Sequence, residues 1–257
     1  MRRVTVTMDG PVAHVRLNRP EKMNAVDMEM IDDMLEAGVM LAAAPDLRAV
    51  VLAGKGDAFC AGLDVQSFAM LAGTDPEALV MPRSHGDANR FQHFALVWRS
   101  LPVPVIAALH GAVFGAGFQL ALGADIRIAA PEARLAVMEM KWGLVPDMGG
   151  MVLLPELTRG DVIRQMTYSA APIGAEQAER WGLVTELAAD PLARATALAQ
   201  EIAGKSPSAI RAAKRLIGTA LSASRAEVLL AESREQADLI GKPDQMAVIA
   251  ANLAARR

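Results

Sequence analysis

Apolar and polar positions alternate in two short runs near the start of the chain, residues 4–8 and 12–17, separated by Asp9-Gly10. A period of two predicts half-buried strands, and an Asp-Gly pair supplies the backbone freedom of a tight hairpin. Asn18-Arg19-Pro20 breaks the second run. Over residues 27–44, Met30, Ile31, Met34, Leu35, Val39 and Leu41 recur at helical spacing, with Asp27 placed to cap the first turn and Pro45 to end the helix. Residues 48–53 are almost wholly apolar, which predicts a strand buried on both faces, closed by Gly54-Lys55-Gly56-Asp57. Strand, helix, strand is the pattern of a crossover unit in an α/β fold.

Residues 59–64 form a turn of small residues, and a helical pattern starts at Val65. Residues 73–90 are polar and poorly patterned, with Pro76, Pro82 and Gly86, and read as a mobile excursion near a site. Phe91, Phe94, Ala95 and Trp98 mark a helix over 91–99. A strand over 103–109 leads into His110-Gly111-Ala112-Val113-Phe114-Gly115-Ala116-Gly117-Phe118-Gln119-Leu120, a glycine-rich turn opening a helix to about 122. Strands are predicted at 125–130 and 133–137, a loop at 142–150 and a helix at 150–157. From 161 onward the pattern is helical except for 183–187. Alanine-rich amphipathic helices are predicted at 191–203, 207–222, 224–240 and 243–256. No repeat or flexible linker divides the chain.

Composition narrows the class. Of 257 residues, 53% are hydrophobic but only 4% aromatic, so Ala, Val, Leu and Met must fill the core. A net charge of −3 argues against a nucleic-acid partner. A single cysteine, Cys60, excludes an internal disulfide framework and suits a cytoplasmic protein. The four histidines (14, 85, 93 and 110) lack metal-ligand spacing, so no metal site is expected. The uncharged stretch 101–124 is long enough to cross a bilayer. Its prolines, His110, Gln119 and glycines point instead to a buried strand, turn and helix.

The small-residue turns at 61–63 and 115–117 each follow a strand. One backbone N–H from each could meet on a single oxygen that gains negative charge, and one such donor typically contributes about 2.7–4 kcal/mol to a transition state. The same glycines equally serve close helix–strand packing, and both readings stay open. The spacing Gly-x-x-x-Gly-x-Gly is not a dinucleotide fingerprint, and neither a phosphate loop nor a serine-hydrolase elbow occurs. Glu139 sits among Leu135, Ala136, Val137, Met138, Met140 and Trp142, which would raise its pKa and suit general acid/base work. Alternatively it points outward to Lys141 or Arg134. Asp147 is either a second acid or the cap of the following helix. Gln119 can donate and accept hydrogen bonds but cannot exchange a proton; it either serves the reaction or is satisfied by a backbone group. Cys60 reads as a small core residue, and His110 as a satisfied buried histidine.

Several stretches together resemble the crotonase superfamily, the enoyl-CoA hydratase/isomerase family. They are Asn18-Arg19-Pro20-Glu21-Lys22-Met23-Asn24-Ala25, Ala58-Phe59-Cys60-Ala61-Gly62-Leu63-Asp64, residues 111–125, residues 139–150 and the C-terminal helices. The resemblance implies the ClpP/crotonase-like α/β fold: a spiral core of repeated ββα units with the acyl-CoA site, here 1–190, and a C-terminal helical trimerisation region, here 191–257. It implies an acyl-CoA thioester substrate, no cofactor beyond the coenzyme A of the substrate, and a homotrimer or dimer of trimers. The oxyanion-hole donors would be the N–H groups of Leu63 and Ala116, where the family usually has glycine at the second position. Met23, Ala25, Ala61 and Leu63 would line the pantetheine channel, with Gly62, Asp64, Gly115 and Gly117 in the same substrate-binding turns.

Family hydratases use two glutamates. The later one matches Glu139, and the earlier one matches Gln119. With no titratable group at 119, double-bond isomerisation through an enolate is favoured, with Glu139 as main acid/base, Asp147 as auxiliary acid and Gln119 orienting water or substrate. The offset of eight from Glu139 to Asp147 is similar to that of the dienoyl-CoA isomerase branch. Hydration is the alternative, and acyl-CoA binding without catalysis a third reading. Residues 66–90 are expected to shape the acyl pocket. In the last helix, Asn252 and Ala255 stand where relatives often place an aromatic residue and a lysine that reach the acyl-CoA.

Overall fold

A computed structural model describes residues 2–67 and 73–254. The opening hairpin is β1 (Val4–Asp9) paired antiparallel with β2 (Val12–Leu17). Next comes α1 (Met28–Ala42), capped by Asp27, whose carboxylate accepts the Met30 N–H at 2.9 Å. Its buried stripe holds Met30, Ile31, Met34, Leu35 and Leu41, whereas Val39 of the predicted set faces solvent. β3 (Ala49–Gly54) is buried along its whole length and pairs parallel with β2, completing the crossover unit.

Residues 65–67 begin a helix; the rest of that predicted helix, 68–72, lies outside the described residues. The excursion at 73–90 is more regular than its pattern suggested. It contains the short helix α2 (Pro76–Val80), capped by Asp75 with Pro76 in its first turn. This helix buries no residue, so it carries no apolar stripe for a pattern to reveal. α3 (Arg90–Ser100) starts in a reciprocal capping box between Asn89 and Gln92 and buries Phe91, Phe94, Ala95, Val97 and Trp98.

The uncharged stretch resolves into β4 (Val105–Leu109), β5 (Ala112–Phe114) and α4 (Ala116–Leu122). Among the described residues no helix is long and apolar enough to cross a membrane. β6 (Ile126–Ala129) and β7 (Arg134–Ala136) follow, then a 3₁₀ turn at Glu139–Trp142 and α5 (Gly150–Leu157). The chain continues through α6 (Gly160–Ser169), β8 (Ile173–Gly174), α7 (Ala175–Arg180) and β9 (Glu186–Leu187). It ends with α8 (Pro191–Ala203), α9 (Pro207–Ala220), α10 (Arg225–Leu239) and α11 (Pro243–Ala254).

The strands form two sheets. The larger has the order β1-β2-β3-β4-β6-β9, parallel from β2 onward; the smaller has the order β5-β7-β8. Successive units place one strand in the large sheet and the next extended piece in the small layer, then turn into a helix. β4, β5 and α4 make one such unit; β6, β7 and α5 make another. One face of the large sheet supplies Val15, Val50, Leu52, Val105 and Ala107 to the main core. The opposite face, with Val12, Val51, Ile106 and Ile128, is covered by Ala195, Ala199 and Ala203, an alanine stripe one turn apart on α8. The small side chains let that helix lie close on the sheet. α10 and α11 bury no side chain in the single chain.

Candidate active site

Residues 60–64 run between the segment 23–26 on one side and β5 on the other. Ala61 N–H donates to Met23 O at 2.9 Å, Val26 N–H to Gly62 O at 2.8 Å, and Asp64 N–H to Val26 O at 2.8 Å. On the other flank Cys60 N–H donates to Ala112 O and Phe114 N–H to Cys60 O, both at 3.0 Å. In this parallel pairing Val26 engages the groups of Gly62 and Asp64, so the N–H of Leu63 points the other way. Among the described residues it meets no hydrogen-bond acceptor. Gly62 makes the turn with φ +101°, and a Cβ there would lie 3.0 Å from Phe114 O. Asn24 holds the neighbouring segment from inside, its amide nitrogen donating to Lys55 O at 2.9 Å and Ala58 O at 2.8 Å.

The second turn is shaped by Gly115, whose φ of +50° and ψ of −118° suit glycine alone. Ala116 then opens α4. The first N–H groups of a helix have no partner inside it, and that of Ala116 has none among the described residues. A Cβ on Gly115 would stand 3.4 Å from Glu139 Oε1, so the carboxylate lies directly against the turn that presents Ala116.

These groups share one cavity of about 440 Å³. Of the sequence-predicted residues, Met23, Ala61, Gly62, Leu63, Gly115, Ala116, Glu139 and Asp147 line it. The remaining walls, not predicted from sequence, are Val65, Ala112, Phe114, Met138, Lys141, Trp142, Leu144, Val145 and Met148. For Trp142, Leu144 and Val145 the available signal was three large apolar residues in a predicted loop, which reads as ordinary until the loop is folded over the site. Among the described residues of 66–90, expected to shape the acyl pocket, none lines the cavity, and 68–72 lie outside the described residues.

Four expected site residues lie elsewhere. Ala25 does not reach the cavity. Asp64 is buried against Arg19, with its carboxylate 2.7 Å from the guanidinium. Burial pushes the Asp64 pKa up, but the Gln66 N–H and Arg19 outweigh it and hold the carboxyl below its ordinary range. It forms a buried ion pair and does not line the cavity. Gly117 faces Cys60: a Cβ there would come within 2.5 Å of Cys60 Cβ and 2.7 Å of its carbonyl oxygen. Gln119, expected to orient water or substrate, is 2% exposed and does not line the cavity. Its Oε1 accepts the N–H groups of Met148 at 2.9 Å and Gly150 at 3.0 Å, and its Nε2 donates to Glu139 Oε1 at 2.7 Å.

Glu139 begins the 3₁₀ turn after β7. Its Oε2 is buried with no hydrogen-bond partner among the described residues. Burial pushes its pKa up, assisted by the charge of Asp147 and opposed by hydrogen bonds that include the one from Gln119. Asp147 keeps an exposed side on the cavity wall, and the partial burial of its carboxyl pushes its pKa up as well. It caps nothing: Gly149 occupies the cap position of α5 with φ +90°, and no side chain bonds there. Cys60 is fully buried, its thiol donating to Asn24 O at 3.1 Å and its pKa pushed up to about 12, so it is no nucleophile. His110 is satisfied by the carbonyl of Gly56 at 2.9 Å. Asn252 lies on the exposed helix α11, and Ala255 lies outside the described residues.

Residues 7–251 match the family model described as enoyl-CoA hydratase/isomerase. The carnitinyl-CoA dehydratase of Shigella flexneri is 36% identical over 217 residues, which span 83% of this chain and 79% of the relative. Among solved structures, an enoyl-CoA hydratase from Bacillus anthracis superposes with a TM-score of 0.89 at 26% identity, covering 98% of this chain and 96% of the other. An enoyl-CoA hydratase from Polaromonas sp. JS666 gives 0.89 at 28% identity, covering 98% and 97%.

Proposed function

This chain belongs to the enoyl-CoA hydratase/isomerase family, the crotonase fold and its acyl-CoA chemistry, and from that premise we propose that it moves double bonds within acyl-CoA thioesters. One observation carries the reading: a raised-pKa carboxylate, Glu139, lies against the turn that presents the unpartnered Ala116 N–H. In the proposed cycle the thioester oxygen accepts from the N–H groups of Leu63 and Ala116. Ionised Glu139 removes a proton from the α-carbon of a 3-enoyl-CoA. The C–H electron pair enters the thioester as a dienolate, whose oxygen charge the two donors stabilise. Return of a proton to the distal carbon, from Glu139 or from protonated Asp147, gives the 2-enoyl-CoA.

Support for isomerisation over hydration comes from position 119, where an amide fully engaged with protein groups stands in place of a titratable acid. Addition or loss of water is the second reading. It is favoured by the dehydratase named among the relatives and by the two carboxylates in one cavity, of which Asp147 would handle the water. Exposed apolar side chains on α9–α11, among them Ile217, Leu229, Leu230, Ile249 and Leu253, support self-association through the C-terminal helices.

Turnover of 3-enoyl-, 3,5-dienoyl-, 2-enoyl- and 3-hydroxyacyl-CoA by the purified protein tests the reading. Conversion of the first or second class with little hydration of the third is expected. Glu139→Gln should then lower turnover about 10²–10⁴-fold while acyl-CoA binding by calorimetry persists. Faster hydration of 2-enoyl-CoA than isomerisation would establish the second reading, and binding with no turnover on any of the four would refute both.

A further inference from the structure

We infer that Gln119 is a positioning residue that fixes which oxygen of Glu139 exchanges a proton with the substrate, and that it ties this choice to the loop carrying Asp147. The inference rests on the proposed acid/base role of Glu139.

The orientation of the Gln119 amide leaves no freedom. Two backbone N–H groups, from Met148 and Gly150, point at one end of it, so that end must be the oxygen. The nitrogen is thereby turned toward Glu139 and donates to Oε1 at 2.7 Å. An oxygen that receives this N–H is the weaker site for a proton. The exchangeable proton is left to Oε2, which is buried and has no hydrogen-bond partner among the described residues. The amide is also clasped sterically. A Cβ on Gly150 would lie 2.8 Å from both Cγ and Oε1 of Gln119, so only glycine lets the loop close on it.

The consequence is mechanical as well as electrostatic. One side chain links the first turn of α4, the 3₁₀ turn at Glu139 and the loop after Asp147. A glutamate at 119 could still accept both N–H groups, but when ionised it would offer Glu139 no donor. It would set two carboxyl groups in contact, and such a pair shares a proton. The amide therefore keeps Glu139 from sharing its proton with a carboxyl group at position 119.

The test compares Gln119→Met, Gln119→Glu and the wild type by two readouts. The first is the carboxyl titration of Glu139 in the ligand-free protein, assigned by infrared difference against Glu139→Gln. The second is the pH profile of kcat/KM. Gln119→Met should move the Glu139 titration and the acid limb of the profile upward together by about one to two pH units, the effect of losing one hydrogen bond to a charged acceptor. Gln119→Glu keeps the acceptor for the loop, which guards against a variant that simply fails to fold. It should split the titration into two separated steps. If neither variant moves the Glu139 titration by more than about 0.3 unit, far short of the roughly one to two units expected for a lost donor, the inference is overturned. A shifted titration in a protein that turns over no acyl-CoA would uphold the link between Gln119 and Glu139 and sink the proposed function instead.

Discussion

Replacing Gly117 with alanine adds a single methyl group at a place that does not line the cavity. The structure gives it no room: the new Cβ would stand 2.5 Å from Cys60 Cβ and 2.7 Å from both the carbonyl oxygen and Sγ of Cys60. Carbon atoms pack at roughly 3.5–4.0 Å, so the start of α4 and the 60–63 turn must separate by about 1 Å. Overpacking of that size typically costs about 1–3 kcal/mol. In a chain of this length each kcal/mol lowers Tm by roughly 2–4 °C. The functional loss should be larger than the stability loss suggests. Leu63 and Ala116 sit on the two turns being wedged apart, and a misplacement of about 1 Å can cost around 100-fold in rate. Thermal unfolding and steady-state kinetics on the best acyl-CoA substrate measure the two effects side by side. Removing the sulfur in a Cys60→Ala, Gly117→Ala double variant should restore little, because Cβ and the backbone oxygen of residue 60 remain in the way. A folded Gly117→Ala protein with kcat/KM within about threefold of wild type, far from the loss expected for a displaced donor, would refute the claim that this contact aligns the two turns.

The charge of Asp147 helps raise the Glu139 pKa, so Asp147→Asn should move the acid limb of the kcat/KM profile downward; an unmoved or rising limb counts against electrostatic contact between the two carboxylates. Both groups hold a raised pKa in the folded protein. The folded state then keeps protons that the unfolded chain has released, and stability falls as pH rises above the ordinary carboxylate range of about 4. Glu139→Gln should accordingly raise Tm at neutral pH and give little gain near pH 4, measured by melting curves at both values. Asp64→Asn would leave Arg19 buried with only Asp27, 3.6 Å away, as a charged partner. The loss of one member of a buried pair predicts about 3 kcal/mol of destabilisation in denaturant titrations. A drop in acyl-CoA affinity without a drop in stability would restore Asp64 to the binding site.

Local patterning made most of the fold legible. The crossover unit, the capped α1, the strand into a glycine turn and the four C-terminal helices all lie where apolar spacing and turn residues place them. What stayed hidden depends on contacts distant in sequence. α2 carries no apolar stripe, and β5 is only three residues long and follows β4 after just His110-Gly111, so it has too few positions to show a strand period. Asp147 looked equally like an acid and a helix cap, because a carboxylate just before Gly-Gly fits both. Only the three-dimensional path shows Gly149 in the cap position and Asp147 on the cavity wall. Gln119 carried the reverse difficulty. Its chemistry was plain, but its partners, Glu139, Met148 and Gly150, come from segments 20 to 31 residues away.

The glycine turn shows why sequence left two readings open there. Its glycines could serve donor geometry or close packing, and the structure divides these roles between neighbours. Gly115 takes the backbone angles that turn Ala116 toward the cavity and makes room for the Glu139 carboxylate. Gly117 contributes nothing to the cavity surface and allows α4 to approach Cys60. Packing and donor placement are nevertheless one device, since the Cys60 contact sets how closely the turn holding Leu63 approaches the helix that starts at Ala116. The donor role proposed for Ala116 asks only for its N–H and a helical φ, which alanine supplies. An alanine one residue later meets backbone.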